Sequence, residues 1–180
     1  MKHIIKSDLY RYGSQTSLLK GLKKPGFRYM YFKRLAESKK RFSLKGVIYG
    51  FIIRKLSYKY GFQIPINTKI GEGFFIGHFG TIVINVDAII GKYCNIAHSV
   101  TIGRASRGRL KGSPTLGDYV WIGTGSVIVG NIKIGSNVLI APNSFVNFDV
   151  PDNSVIIGNP GEIIKKDNPT NGYINNIIGE

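Results

Sequence analysis

From residue 64 onward, large aliphatic residues recur every six positions. They fall at Ile64, Ile70, Ile76 and Ile82, then at Ile84, Ile90, Ile96 and Ile102, then at Leu116, Ile122, Ile128, Ile134, Ile140 and Val146. A small residue usually follows, as in Gly71, Gly77, Gly91, Ala97, Gly103, Gly117, Gly123, Gly135 and Ala141, and a small or medium residue stands two positions before, as in Ala88, Cys94, Val100, Val120 and Ser126. At 3.6 residues per turn a helix would scatter this spacing around its circumference. Short strands separated by turns accommodate it, because residues two apart share one face of a strand and a small residue lets the chain bend before the next. Stacked strands then bury a column of isoleucines, so residues 62–160 are read as a parallel β-helix, a mainly β fold.

The flanks have other patterns. Residues 1–61 carry apolar residues at helical spacing (Leu44, Val47, Ile48, Phe51, Ile52, Leu56), with Pro25-Gly26 as a break, and are read as a basic α-helical region of two or three helices. Residues 161–180 read as a loosely ordered tail. The stretch RASRGRLKGSP, 104–114, interrupts the repeat as an extruded loop.

Charge sharpens this division. Of a net +15, residues 1–61 hold 16 Lys and Arg against Asp8 and Glu37, whereas residues 62–180 hold nine against eight acids. The excess in the helical region marks a surface for an acidic partner: anionic lipid headgroups at a membrane face, an acidic glycan or phosphates. Its aromatics are read as packing between helices and no nucleic-acid motif is present, so nucleic acid is not an expected partner. One cysteine, Cys94, allows no intrachain disulfide and fits the cytoplasm. No signal-peptide pattern opens the chain, and GVIYGFII is too short to span a bilayer, so the expected location is cytoplasmic or peripheral at the inner membrane face. Three scattered histidines and one cysteine lack metal-ligand spacing, and no metal is expected.

Several segments together resemble the hexapeptide-repeat acyltransferases, on the serine acetyltransferase branch and its relatives in polysaccharide biosynthesis. IKSDLYRYG (5–13) is similar to the amino-terminal signature of serine acetyltransferases, IPINTKIGEGFFIGHFGTIVI to the segment carrying their catalytic histidine, PTLGDYVWIGTGSVIVGNIKIG to their following coils, and IIGNPGEII to their terminal motif. The resemblance implies a left-handed coil, a homotrimer with active sites between subunits, acetyl-CoA as co-substrate, and His78 as general base. It also implies the backbone at Gly103, Gly123 and Thr124 along the pantetheine arm of CoA. The basic loop with Arg104, Arg107 and Arg109 is read as a flap over the site that meets CoA phosphates or an anionic acceptor, and Lys165 and Lys166 as partners of the 3′-phosphate.

Histidine suits the implied reaction, since one imidazole can take the acceptor hydroxyl's proton and return it to the leaving thiolate. Counting the register puts His98 one coil above His78. Treating the fourteen residues from Ile102 to Leu116 as two hexads plus two continues that column to Asp118. Compared with serine acetyltransferases, Gly77 and Gln63 stand where carboxylates occur and Ser113 where a histidine occurs. The loss of both counter-charges for an ammonium group favours a sugar hydroxyl in surface polysaccharide synthesis. L-serine, a small acceptor such as an antibiotic or free nucleotide sugar, and a non-catalytic β-helix scaffold are the alternatives.

Overall fold

The computed structural model describes residues 1–179. Four helices precede the repeats: α1 (Lys2–Tyr10), α2 (Leu18–Gly21), α3 (Pro25–Glu37) and α4 (Leu44–Tyr60). This is one or two more than the apolar spacing predicts, because the four-residue α2 is too short to register in a periodicity. Pro25 does not merely break a helix. It opens α3 at the first turn, where a missing N–H costs nothing. Ser43 caps α4 by accepting from the Gly46 amide at 3.1 Å, and Gly61, left-handed at φ 73°, ends it.

The chain then winds through five coils. The first holds β1 (Phe62–Gln63), β2 (Lys69–Ile70) and β3 (Phe75–Ile76); the second β4 (Ile82–Ile84), β5 (Ile89–Ile90) and β6 (Asn95–Ile96). The third holds β7 (Thr101–Gly103), β8 (Thr115–Leu116) and β9 (Val120–Ile122); the fourth β10 (Val127–Val129), β11 (Lys133–Ile134) and β12 (Val138–Ile140). The fifth has β13 (Phe145–Val146), a bridge from Val150 to Ile134, and β14 (Ser154–Ile157), after which β15 (Glu162–Lys165) turns back antiparallel along β14. All other ladders are parallel. They form three faces, ordered β1-β4-β7-β10-β13, β2-β5-β8-β11 and β3-β6-β9-β12-β14-β15.

Every aliphatic of the six-residue series is at most 8% exposed, and the residues two before them, such as Cys94, Val100, Val120 and Ser126, are sealed inside. Each buried isoleucine contributes about 1.5–3 kcal/mol of apolar burial. The small residue after the aliphatic has a steric cause at the corner between second and third faces. A Cβ on Gly71 would stand 2.5 Å from the Gly91 carbonyl oxygen, and one on Gly91 would collide with the Gly117 backbone. Successive coils touch there through their main chains, with the Asp118 carboxylate and the Ser136 hydroxyl packed beside them.

The helices are bolted to the first coil by charges that are buried and not displayed. Arg34 pairs with Asp8 at 3.0 Å and donates to the carbonyls of Ile70 and Gly71; Lys33 pairs with Glu37 and donates to the carbonyls of Ile66 and Thr68. Burial pushes the Asp8 carboxyl above its usual range, with Arg34 pulling against it. Residues 166–179 are ordered rather than loose. Asn95 Nδ2 donates to the Tyr173 carbonyl at 2.9 Å, the Tyr173 ring lies 4.9 Å from that of Trp121, and Arg11 Nε donates to the Asn175 carbonyl, so the tail closes the third face against α1.

Candidate active site

His78 and His98 each follow a third-face isoleucine by two residues, on the corner leading to the first face. Ile76 pairs with Ile96, so the two corners stack, and the imidazoles meet edge to face with ring centroids 5.8 Å apart. The twenty-residue step arises because Ile82 and Ile84 both point inward from β4, two residues beyond the six-residue count. His78 is exposed and lines a cleft of about 540 Å³ with Tyr12, Pro25, Gly26, Gly77, Phe79 and others. His98 is half-buried, and its Nδ1 is sealed from solvent with no hydrogen-bond partner. A buried ring nitrogen without a partner carries a desolvation cost, so the chain holds the His98 ring against His78 at some expense in stability.

Three residues outside the sequence expectation shape this corner. Tyr12 Oη bonds both the N–H and the C=O of Ile76, two residues before His78. Gly26 lets α3 lie against β3, since a Cβ there would strike the Ile76 carbonyl and Tyr12 Oη. Gly80, at φ 134°, leaves room for His98, whose Cβ would be 3.3 Å from a side chain at that position. The glycine itself is the one trace the last of these leaves in a sequence; the contacts of Tyr12 and Gly26 with Ile76 span 64 and 50 positions.

The column above His98 continues to Thr124, not Asp118. Ile96 pairs with Ile122, and the Gly125 amide donates to the His98 carbonyl. The step from Ile102 to Leu116 is one hexad plus an eight-residue insertion, all of it at the corner between first and second faces, so Asp118 stacks instead on Glu72 and Lys92 at the next corner. There its carboxylate accepts from the Lys92 amide at 2.7 Å, and its own amide donates to Ser136 Oγ. Asp118 is a corner cap, remote from the histidine column in sequence register.

The remaining expected residues fall at other places. Gly123 and Thr124 share the histidine corner, one coil up. Gly103, Arg104, Arg107, Arg109 and Ser113 belong to the corner between first and second faces, at the far edge of the first face from His78. The loop there is held by paired amides of Ala105 and Gly112, by the Asn131 amide on the Leu110 carbonyl, and by Ser113 Oγ on Asn85 Oδ1 at 3.0 Å. Arg104 pairs with Asp87 at 2.9 Å, whereas Arg107 and Arg109 are exposed and without an ion pair among the described residues. Gln63 lies on β1 and lines a separate groove with Tyr58 and Val83. Lys165 and Lys166 are exposed at the end of β15, and Lys165 Nζ donates to the Asp152 carbonyl.

Cys94 is fully buried with its thiol directed at the Lys92 and Gly117 carbonyls, and burial pushes it up to about 12. It cannot supply a thiolate nucleophile. Among the described residues no three His, Cys, Asp or Glu side chains gather as a metal site, and no helix is long and apolar enough to cross a membrane.

The fold is the hexapeptide-repeat left-handed β-helix, and residues 113–147 match the family described as bacterial transferase hexapeptide (six repeats). The relatives are more specific. The serine acetyltransferase of Synechococcus elongatus is 40% identical over 104 residues, which is 58% of this chain and 43% of that protein. The chain thus spans less than half of that relative's length. The crystal structure of Neisseria gonorrhoeae serine acetyltransferase in complex with serine superimposes with a TM-score of 0.72 at 29% identity, covering 89% of this chain and 68% of that one. The Brucella abortus serine acetyltransferase in complex with coenzyme A gives 0.76 at 25%, covering 92% and 68%.

Proposed function

We propose that the protein is an acetyl-CoA-dependent O-acetyltransferase. His78 takes the proton of an acceptor hydroxyl as its oxygen attacks the thioester carbonyl; the tetrahedral intermediate then collapses to the acetyl ester, and His78 returns the proton to the departing CoA thiolate. The observation that carries this reading is the stacked pair of imidazoles at an open corner, one exposed in a cleft and the other with a buried, unpartnered nitrogen beside it. Direct transfer is favoured over an acyl-enzyme because Cys94 is sealed and protonated.

The basic loop and the histidines lie at opposite edges of the first face. A homotrimer in which one copy's Arg107 and Arg109 approach the next copy's His78 would bring them together, and acetyl-CoA would lie between copies, its phosphates met by arginine forks. Gly103, Gly123 and Thr124 would then line the pantetheine arm, and Lys165 and Lys166 would meet the 3′-phosphate.

For the acceptor, the relatives favour L-serine, since each of those named above is a serine acetyltransferase. A sugar hydroxyl of a surface glycan is the second reading, and it rests on Gly77, Gln63 and Ser113 alone: no carboxylate hydrogen-bonds either histidine among the described residues. Turnover of acetyl-CoA against L-serine, nucleotide sugars and polysaccharide fragments separates the two. His78→Ala is expected to lower turnover by roughly 10²–10⁴-fold. Equal rates in parent and variant would remove the mechanism, and no transfer to any acceptor, with no CoA binding, would favour a scaffold.

A further inference from the structure

The apolar stripe of α4 faces outward. Gly46, Ile53, Leu56 and Tyr60 form its buried side, against α3 and the first coil, so Leu44, Val47, Ile48, Phe51 and Tyr58 project from the opposite side. Leu44 is 78% and Phe51 70% exposed, and Phe42, just before the helix, is 88% exposed with the Arg41 guanidinium 5.5 Å above its ring. The aromatics of this region therefore do not all pack between helices, contrary to the expectation from sequence. Around this strip lie Lys39, Lys40, Arg41, Lys45, Arg54, Lys55 and Lys59, all exposed, and residues 38–61 contain no acid. The cations of the helical region that do have internal acidic partners, Lys33 and Arg34, are buried elsewhere on α3.

We infer that this face of α4, with the turn at residues 39–43, seats the protein on a bilayer surface carrying anionic lipid. Two features must be satisfied together: an exposed apolar strip from Phe42 to Phe51, with Tyr58 beyond Lys55, and seven cations along and beside it. A polyanion would satisfy the cations and leave Leu44, Val47 and Ile48 in water. A second copy joined through the same face would cover the strip but set seven cations against seven. The interfacial zone of an anionic bilayer satisfies both, with the rings and aliphatics below the headgroups and the lysines reaching to phosphates by their long stems. The inference does not depend on His78 being a base.

Co-sedimentation of the full chain with phosphatidylcholine vesicles, with and without phosphatidylglycerol, tests it. Binding is expected only with phosphatidylglycerol and is expected to weaken at roughly 0.5 M salt, where charges are screened beyond a few ångströms. Phe42→Ser with Phe51→Ser should weaken partitioning by about tenfold or more, and Phe42→Leu with Phe51→Leu should keep it. Lys39→Gln, Lys40→Gln and Arg41→Gln together should weaken it about a hundredfold. Five results overturn the inference: no vesicle binding by the parent; equal binding to neutral vesicles; binding that the serine pair leaves unchanged; a Phe-dependent oligomer in sedimentation velocity without vesicle binding; or uptake of a single-stranded oligonucleotide in place of vesicles. The parent's lipid and salt dependence decides the matter even if a variant fails to fold.

Discussion

Tyr12 Oη holds Ile76 by both of its main-chain groups, donating to the carbonyl and accepting from the amide, each at 3.2 Å. β3 is the edge strand of the third face, so no coil beneath it could take these groups. A tyrosine from the turn after α1 stands in for the missing strand. Burial pushes the phenol above its usual range and keeps it a donor.

Tyr12→Phe therefore leaves a buried N–H and C=O unpaired while changing little volume. The expected cost is about 1–3 kcal/mol, read as a lower urea midpoint with an unchanged slope. A variant as stable as the parent would show that water replaces the phenol at this edge.

Much of this architecture is legible in the sequence, and the limits are physical. The inward aliphatics and the paired Ile82 and Ile84 can be counted, because a β-helix core admits a side chain only at fixed steps; that count alone stacks His98 on His78. The loop at 104–114 cannot be counted. An extruded segment obeys no period, and dividing fourteen residues into hexads moved Asp118 to the wrong corner. Helical spacing in α4 is equally silent about direction, since the same period describes a stripe turned toward the core and one turned toward solvent. The bonds of Tyr12 and Arg11 to the first coil join residues more than 60 positions apart, beyond any local pattern.

The corner glycines divide into two kinds that mutation can separate. A methyl on Gly91 would collide with the Gly117 main chain, which cannot move without shifting a coil, whereas a methyl on Gly103 meets only Val129 at 3.4 Å and Thr101 at 3.6 Å. Gly91→Ala should cost about 1–3 kcal/mol by overpacking, and Gly103→Ala should lie within about 0.5 kcal/mol of the parent. Similar denaturation midpoints for the two variants would show that the coils are not in contact through their backbones.

Gly77 offers a gain-of-function test of the acceptor. Its hypothetical Cβ meets nothing but the Phe75 ring, at 3.2 Å, and its φ is not in the left-handed region, so a side chain fits. Gly77→Asp would place a carboxylate next to His78, as a counter-charge for an ammonium group. If the native acceptor is a neutral hydroxyl, kcat/KM for L-serine should rise about tenfold or more in the variant, with CoA binding unchanged. A fall in serine turnover on this change would mean that the pocket already recognises the amino acid by other groups.

Cys94 allows the burial of the repeat core to be read as a pH dependence. In the unfolded chain its thiol ionises near 8.5, whereas in the folded chain it stays protonated to about 12. Below the unfolded value both states hold the proton and the thiol's contribution is complete. Between the two values the unfolded chain loses its proton and the folded chain does not, so stability falls as pH rises. The loss between pH 8 and pH 10 is about 2 kcal/mol. Other groups titrate over this range, but Cys94→Ala removes only the thiol. The variant's deficit relative to the parent should therefore shrink by that amount from pH 8 to pH 10, in paired urea denaturations. Parallel curves across that range would show that the thiol ionises as readily inside the coil as outside, and the column of small residues at that phase would then not be sealed from water.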